Sequence, residues 1–138
     1  MNKTQLEIAK HQLDKSIELL IDEEDYICAL TLAGAAEGIL AGFNPDIFNF
    51  VRDKAAEKFD NTPKEIANSF NEFRNLLKHG SADILTKRIE IDAFEAAFMI
   101  QRAIAILSYI PNEEASVHVL KFKDWLEFNK VFECVEDN

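Results

Sequence analysis

Six consecutive residues, Arg74-Asn75-Leu76-Leu77-Lys78-His79, followed by Gly80, set a fixed cation, an amide, a second cation and an imidazole close together. They fit within about two helical turns. A guanidinium can grip a phosphate through two parallel N–H donors, which a lysine ammonium cannot copy. An imidazole exchanges protons near neutral pH. Together these groups are the minimum set for breaking a phosphodiester without a metal. On an α-helix Asn75 and His79 share a face, whereas Arg74 and His79 point about 140° apart. The two meet at one phosphate only if the last turn loosens or if a second chain supplies one of them. A structural reading stands beside this one. Arg74, Lys78 and His79 are cations at the negative end of a helix dipole, and that placement alone accounts for all three.

The element that must carry these residues is marked at both ends. Thr62-Pro63-Lys64-Glu65 reads as a capping box with proline at the first helical position. Ile66, Ala67, Phe70, Phe73 and Leu77 recur at three- and four-residue steps and form one apolar stripe, so a helix is predicted over 63–79. Gly80-Ser81 is expected to end it with a left-handed residue.

The rest of the chain reads as one helical domain. Its 138 residues suffice for a sizeable core, and 48% hydrophobic content with eleven phenylalanines argues against disorder. Only four glycines and three prolines punctuate it, and no strand-like alternation runs far, which favours an all-α fold. The N-terminus is polar and shows no secretion signal. The most apolar stretch, Ile27 to Phe43, is interrupted by Glu37 and glycines and is expected to be too short for a membrane span. A reducing cytoplasm is the expected location. Cys28 and Cys134 have neither metal nor redox spacing, and Cys28 is expected to be a buried thiol.

The net charge of −10 opposes indiscriminate binding to nucleic acid. That charge is unevenly placed: residues 1–49 carry −6, residues 50–90 carry +1 and residues 91–138 carry −5. The segment holding the Arg-Asn-His motif is the one that is not acidic.

About five helices are expected, with a last short one in the tail. The first runs from about Thr4 to Ile21 with Leu6, Ala9, Leu13, Ile17 and Leu20 inward. Asp22 to Asp25 turns the chain and places carboxylates at the start of the second helix, about Tyr26 to Gly42. That helix is apolar nearly all round and belongs at the centre of a bundle. Asn44-Pro45 opens a third, through about Phe59, with Ile47, Phe48, Val51, Ala55 and Phe59 inward. After the motif helix, Asp92 caps another to about Ile110, buried through Phe94, Ala97, Phe98, Ile100, Ala103, Ile104 and Leu107. In the tail, 117–122 reads as a short extended piece and 123–133 as a last helix. Phe122, Trp125 and Phe128 are assigned to the core in preference to a docking surface.

Other chemistries find little support. His11 lies four residues after Glu7, and His118 four after Glu114, spacings that fit exposed helical ion pairs better than metal ligands. No Glu-x-x-His pair, phosphate-cradling glycine loop, Gly-x-Ser-x-Gly or Cys/His dyad occurs. No metal or cofactor is expected. Glu37 must find a partner if buried. It either anchors Arg74 or Asn75 from behind the site or pairs with Arg102 across the bundle, and the structural role takes precedence.

Residues 11–43 and 70–80 together resemble the HEPN superfamily. Its members open with two antiparallel helices joined by a short polar turn, then carry an aromatic residue and an alanine-rich helix with a glutamate. A later helix bears an arginine, a polar residue and a histidine. The matching positions are Tyr26, Ala29, Ala33, Ala36, Glu37, Arg74, Asn75 and His79, and residues 92–110 resemble the closing helix of such domains. The likeness covers roughly residues 5–110 and leaves the tail, 111–138, unaccounted for.

The resemblance implies an all-α, four- to five-helix up-down bundle that forms a homodimer, with motif residues of both chains lining one cleft. That arrangement would resolve the angular mismatch between Arg74 and His79. Many members are metal-independent endoribonucleases, often toxins of toxin–antitoxin pairs; others serve as nucleotide-binding or protein-contact modules. Carried onto this chain, Arg74, Asn75 and His79 are the expected catalytic residues, Lys78 a phosphate contact and Glu37 a support behind them. The implied partners are a second copy, RNA or a nucleotide, and a protein such as an antitoxin, with no membrane. His79 would move the proton of the 2′-hydroxyl or of the leaving 5′-oxygen, and the helix dipole favours its imidazolium form. Arg74 would offset charge on the phosphorane. The competing reading is a non-catalytic helical dimer, which the acidic charge and aromatic tail support.

Overall fold

The chain enters its first helix through a reciprocal cap. In the computed structural model, which describes residues 1–43, 45–58, 72, 75–83, 85–86 and 88–129 (without the side chains of 51, 55 and 58), Thr4 Oγ1 accepts the Glu7 N–H at 3.1 Å. The Thr4 N–H donates back to the Glu7 carboxylate at 3.4 Å. This satisfies two donors that a helix start otherwise leaves open. The helix that follows, α1 (Gln5–Ile21), buries Ala9, Leu13, Ile17 and Leu20 as expected. Ser16 lies on the same face, fully buried, and its hydroxyl donates to the Ala29 carbonyl at 2.6 Å. A hydroxyl can sit there because the neighbouring helix offers it an acceptor.

The acidic turn then does what its residues allow. Glu24 takes a left-handed φ of 53°, and the Asp25 N–H donates to the Leu19 carbonyl at 3.0 Å. Asp25 accepts the Cys28 N–H at 3.1 Å and so caps α2 (Tyr26–Phe43). α2 buries Ala29, Leu30, Ala33, Gly34, Ala36, Glu37 and Leu40 and packs on α1, on α3 (Pro45–Lys58) and on α4 (Ala93–Ser108). It is the central element. At 18 residues and mean hydropathy 1.6 it is also long and apolar enough to cross a membrane, contrary to the length expected from sequence. Its packing on three helices and its buried carboxylate account for that apolarity as a core position. Cys28 corrects another expectation: it is exposed, because it sits on the face of α2 opposite Ala29, Ala33 and Leu40.

α4 starts with a second capping box, in which Asp92 accepts the Phe94 N–H at 2.9 Å and Glu95 accepts the Asp92 N–H at 3.0 Å. Ala96, Ala97, Met99, Ile100, Ala103, Ile104 and Leu107 form its inner face, while Phe94 remains 38% exposed at the helix entry. Ala96 and Met99 were not anticipated there, and Phe98, expected inward, is half-buried.

The tail departs furthest from expectation. Residues 117–122 are not extended; Val117–Asn129 is one continuous helix, α5. Ser116 caps it by accepting the Val119 N–H at 3.1 Å. Val119 and Phe122 are buried, Trp125 and Leu126 pack at the core edge, and Phe128 is 86% exposed. Phe128 therefore does not close the core. α5 is fastened to α1 by Lys10–Glu113 (2.6 Å), Ser116–Asp14 (2.8 Å) and Lys121–Asp22 (2.9 Å). His118 faces Asp14 at 3.8 Å and not Glu114, which precedes the helix and lacks the helical offset that would align the two.

All described elements are helical or irregular. Counting residues 75–78 as one segment, they number six, one more than the upper bound expected. The capping box at 62–65, the stripe residues Ile66, Ala67, Phe70 and Phe73, and Phe59 lie outside the described residues.

Candidate phosphate site at a helix end

The last turn of the motif helix is held by a backbone bond and an apolar anchor. The His79 N–H donates to the Asn75 carbonyl at 2.8 Å, so residues 75–79 complete a helical turn and Asn75 and His79 share its face. Leu77 packs against the core and Leu76 is half-buried. Asn75, Lys78 and His79 are all exposed. The alternation of anchor and polar group thus sorts the motif: leucines fix the turn, and its polar side chains face outward. Arg74 lies outside the described residues.

Gly80 ends the turn differently from expectation. No glycine among the described residues has a positive φ, so no left-handed residue closes this helix. The chain instead enters another turn, in which the Leu85 N–H donates to the Ser81 carbonyl at 2.9 Å. Among the described residues, a Cβ at Gly80 would meet the Leu85 Cδ1 at 3.8 Å.

Beside this helix end runs an open groove of roughly 740 Å³, lined by Gln5 of α1, Ala35, Gly38, Ile39, Gly42 and Phe43 of α2, and Lys78. Its floor is low because α2 presents small residues there; a Cβ at Gly42 would meet nothing within 4 Å among the described residues. Lys78 is the charged group among the described lining residues. Elsewhere in the first turn of α1, the Glu7 carboxyl is held below the usual carboxylate range, first by the Thr4 backbone N–H and then by the Thr4 hydroxyl. Its charge is therefore engaged in the α1 cap. The sequence singled out Lys78, but not Gln5, Gly38 or Gly42 as its neighbours, since nothing local links the start of α1 to residue 78.

Glu37 occupies a separate place. Its carboxylate meets the Arg102 guanidinium at 3.2 Å, with side-chain exposures of 0% and 3%. The Arg102 guanidinium also lies 5.6 Å from the centre of the Phe48 ring. Of the two roles weighed for Glu37, the pairing with Arg102 across the bundle is present, while Arg74 lies outside the described residues. Among the described residues no group of three or more His, Cys, Asp or Glu side chains is gathered as metal ligands. Comparison of the chain with protein-family models, curated proteins and solved structures gave no match.

Proposed function

We propose that this protein is a HEPN-like helical domain whose Arg74, Asn75, Lys78 and His79 form a site for the RNA backbone, shared between two copies in a cytoplasmic homodimer. One observation carries the reading: Asn75, Lys78 and His79 are exposed together on an anchored helix end, and Lys78 lines an open groove of roughly 740 Å³. Cations that served only the helix dipole would need no such opening.

The proposed reaction is metal-independent cleavage. The 2′-oxygen attacks the adjacent phosphorus, the O2′–P bond forms and the P–O5′ bond breaks. One proton leaves the 2′-hydroxyl and one reaches the departing 5′-oxygen, and His79 is the group placed to carry it. Arg74 binds the equatorial oxygens of the phosphorane, where charge grows. Asn75, on His79's face, orients the ring or donates to a phosphate oxygen. Lys78 holds a neighbouring phosphate at the groove mouth.

A second reading, a nucleotide-binding or protein-contact module without turnover, is favoured by the net charge of −10 and by the exposed Phe128. Labelled single-stranded RNA incubated with the protein in EDTA separates them. Cleavage supports the nuclease, mononucleotide binding without cleavage selects the module, and neither cleavage nor binding overturns the phosphate site.

A further inference from the structure

We infer that the outer face of α5 is a self-complementary docking surface that pairs antiparallel with α5 of a second copy. Along this helix Val117, Lys121, Asp124 and Phe128 follow steps of four, three and four residues, the spacing of a coiled-coil seam. All four are exposed, Val117 at 79% and Phe128 at 86%, and Leu120 beside them is 52% exposed. They lie opposite Val119 and Phe122, which hold the helix to its own core. α5 thus carries apolar residues on two faces, and among the described residues only one of these faces is packed.

The occupant follows from the order of residues along the stripe. In a two-fold antiparallel pair each seam residue meets the partner residue equidistant from the midpoint, and each contact occurs twice. Around the midpoint of α5's stripe, Val117 meets Phe128 of the second copy and Lys121 meets its Asp124. Apolar ends cover apolar ends, and each central cation faces a carboxylate. In a parallel pair the same seam would set Lys121 against Lys121 and Asp124 against Asp124. The antiparallel copy is therefore the occupant that the charges select. Asp124 has no ion pair among the described residues, whereas Lys121 reaches Asp22 at 2.9 Å. An ammonium has three donors, so Lys121 can serve Asp22 and the partner's carboxylate together.

This surface is distinct from the Arg74–His79 helix end, and its pairing does not depend on the RNA reading. Sedimentation velocity over a range of protein concentrations tests it. Phe128→Ser should halve the mass of the largest species, or weaken its association at least tenfold, with melting temperature unchanged. Lys121→Asp and Asp124→Lys should each weaken association, and the double swap K121D/D124K should restore it. The inference is overturned if Phe128→Ser leaves the mass distribution unaltered, or if the double swap associates no better than the single ones. RNA cleavage left unaltered in the Arg74→Ala and His79→Ala variants, with this mass pattern intact, would count against the nuclease alone.

Discussion

Glu37 and Arg102 form a salt bridge at 3.2 Å in the middle of the helical core, on α2 and α4, with almost no solvent exposure. Such a pair is costly to bury and costlier to break, because removing one partner strands the other charge away from water. Glu37→Ala and Arg102→Ala should each lower unfolding free energy by about 3–5 kcal/mol. The double replacement Glu37→Leu/Arg102→Met should cost less than the two single alanine changes added together, since neither charge is then left behind. Urea denaturation of the variants checks both statements. Independent, additive losses would mean that the two side chains do not act as a pair.

α5 should divide sharply by face. Phe122 is fully buried, and Phe122→Ala should cost about 3–5 kcal/mol. Phe128, on the outer face, should change stability by no more than about 0.5 kcal/mol when replaced by serine. Thermal melts of the two variants decide it, and comparable losses would place Phe128 in the core after all.

The α4 cap should titrate. Asp92's carboxyl is held low, first by its hydrogen bond with Glu95 and next by the Phe94 N–H, while burial pushes Glu95 up. A depressed carboxyl contributes stability that is fully present above its unfolded value, about 3.9. That contribution disappears as pH falls through the lower, folded value. Glu95 has the opposite sign, its folded state favouring the protonated form, so the two partly cancel. In a Glu95→Gln background the Asp92 contribution should stand alone, and Asp92→Ala should lower stability by about 1 kcal/mol at neutral pH. The difference between the two proteins should shrink below pH 4. A difference that stayed constant into strong acid would contradict the assignment.

Cys28 is exposed, yet its thiol is pushed up by hydrogen bonding to Asp25 and by that carboxylate's charge, with Glu23 adding to the effect. Thiolate is the reactive form. In a Cys134→Ser protein, Cys28 should alkylate several-fold more slowly at neutral pH than free cysteine. Asp25→Ser keeps a capping hydroxyl for α2 and should speed the reaction. Equal rates in the two proteins would remove Asp25 as the cause.

Much of this arrangement was legible in the residues. The cap at Asp92 is local and was expected, and it forms as a reciprocal box; the box at Thr4 is as local but was not anticipated. The inward stripe of α1 and the central place of α2 follow from helical periodicity, and the Glu37–Arg102 pair from the rule that a buried carboxylate needs a cation. The reading failed where local pattern is ambiguous. Residues 117–122 alternate like a strand, but Ser116 caps a helix there and Phe122 is drawn into the core, so tertiary burial decides. Cys28 was misjudged because α2, apolar on every side, gives no clue to which face turns outward. The polar seam joining α1 to the tail links residues about a hundred positions apart and leaves no local trace. At the candidate site, Asn75 and His79 share a face as their spacing requires, whereas the groove beside Lys78 is a product of packing alone.

The central claim, a phosphodiester site assembled from the Arg74 of one chain and the His79 of another, is tested most directly by mixing two inactive variants. Arg74→Ala and His79→Ala should each abolish EDTA-resistant cleavage of single-stranded RNA with melting temperature nearly unchanged. Unfolded together and refolded as a 1:1 mixture, they should recover about a quarter of wild-type activity, because half of the dimers are mixed and each of those holds one intact site. Either variant alone retaining full cleavage, or a mixture as inactive as its components, would contradict the shared site.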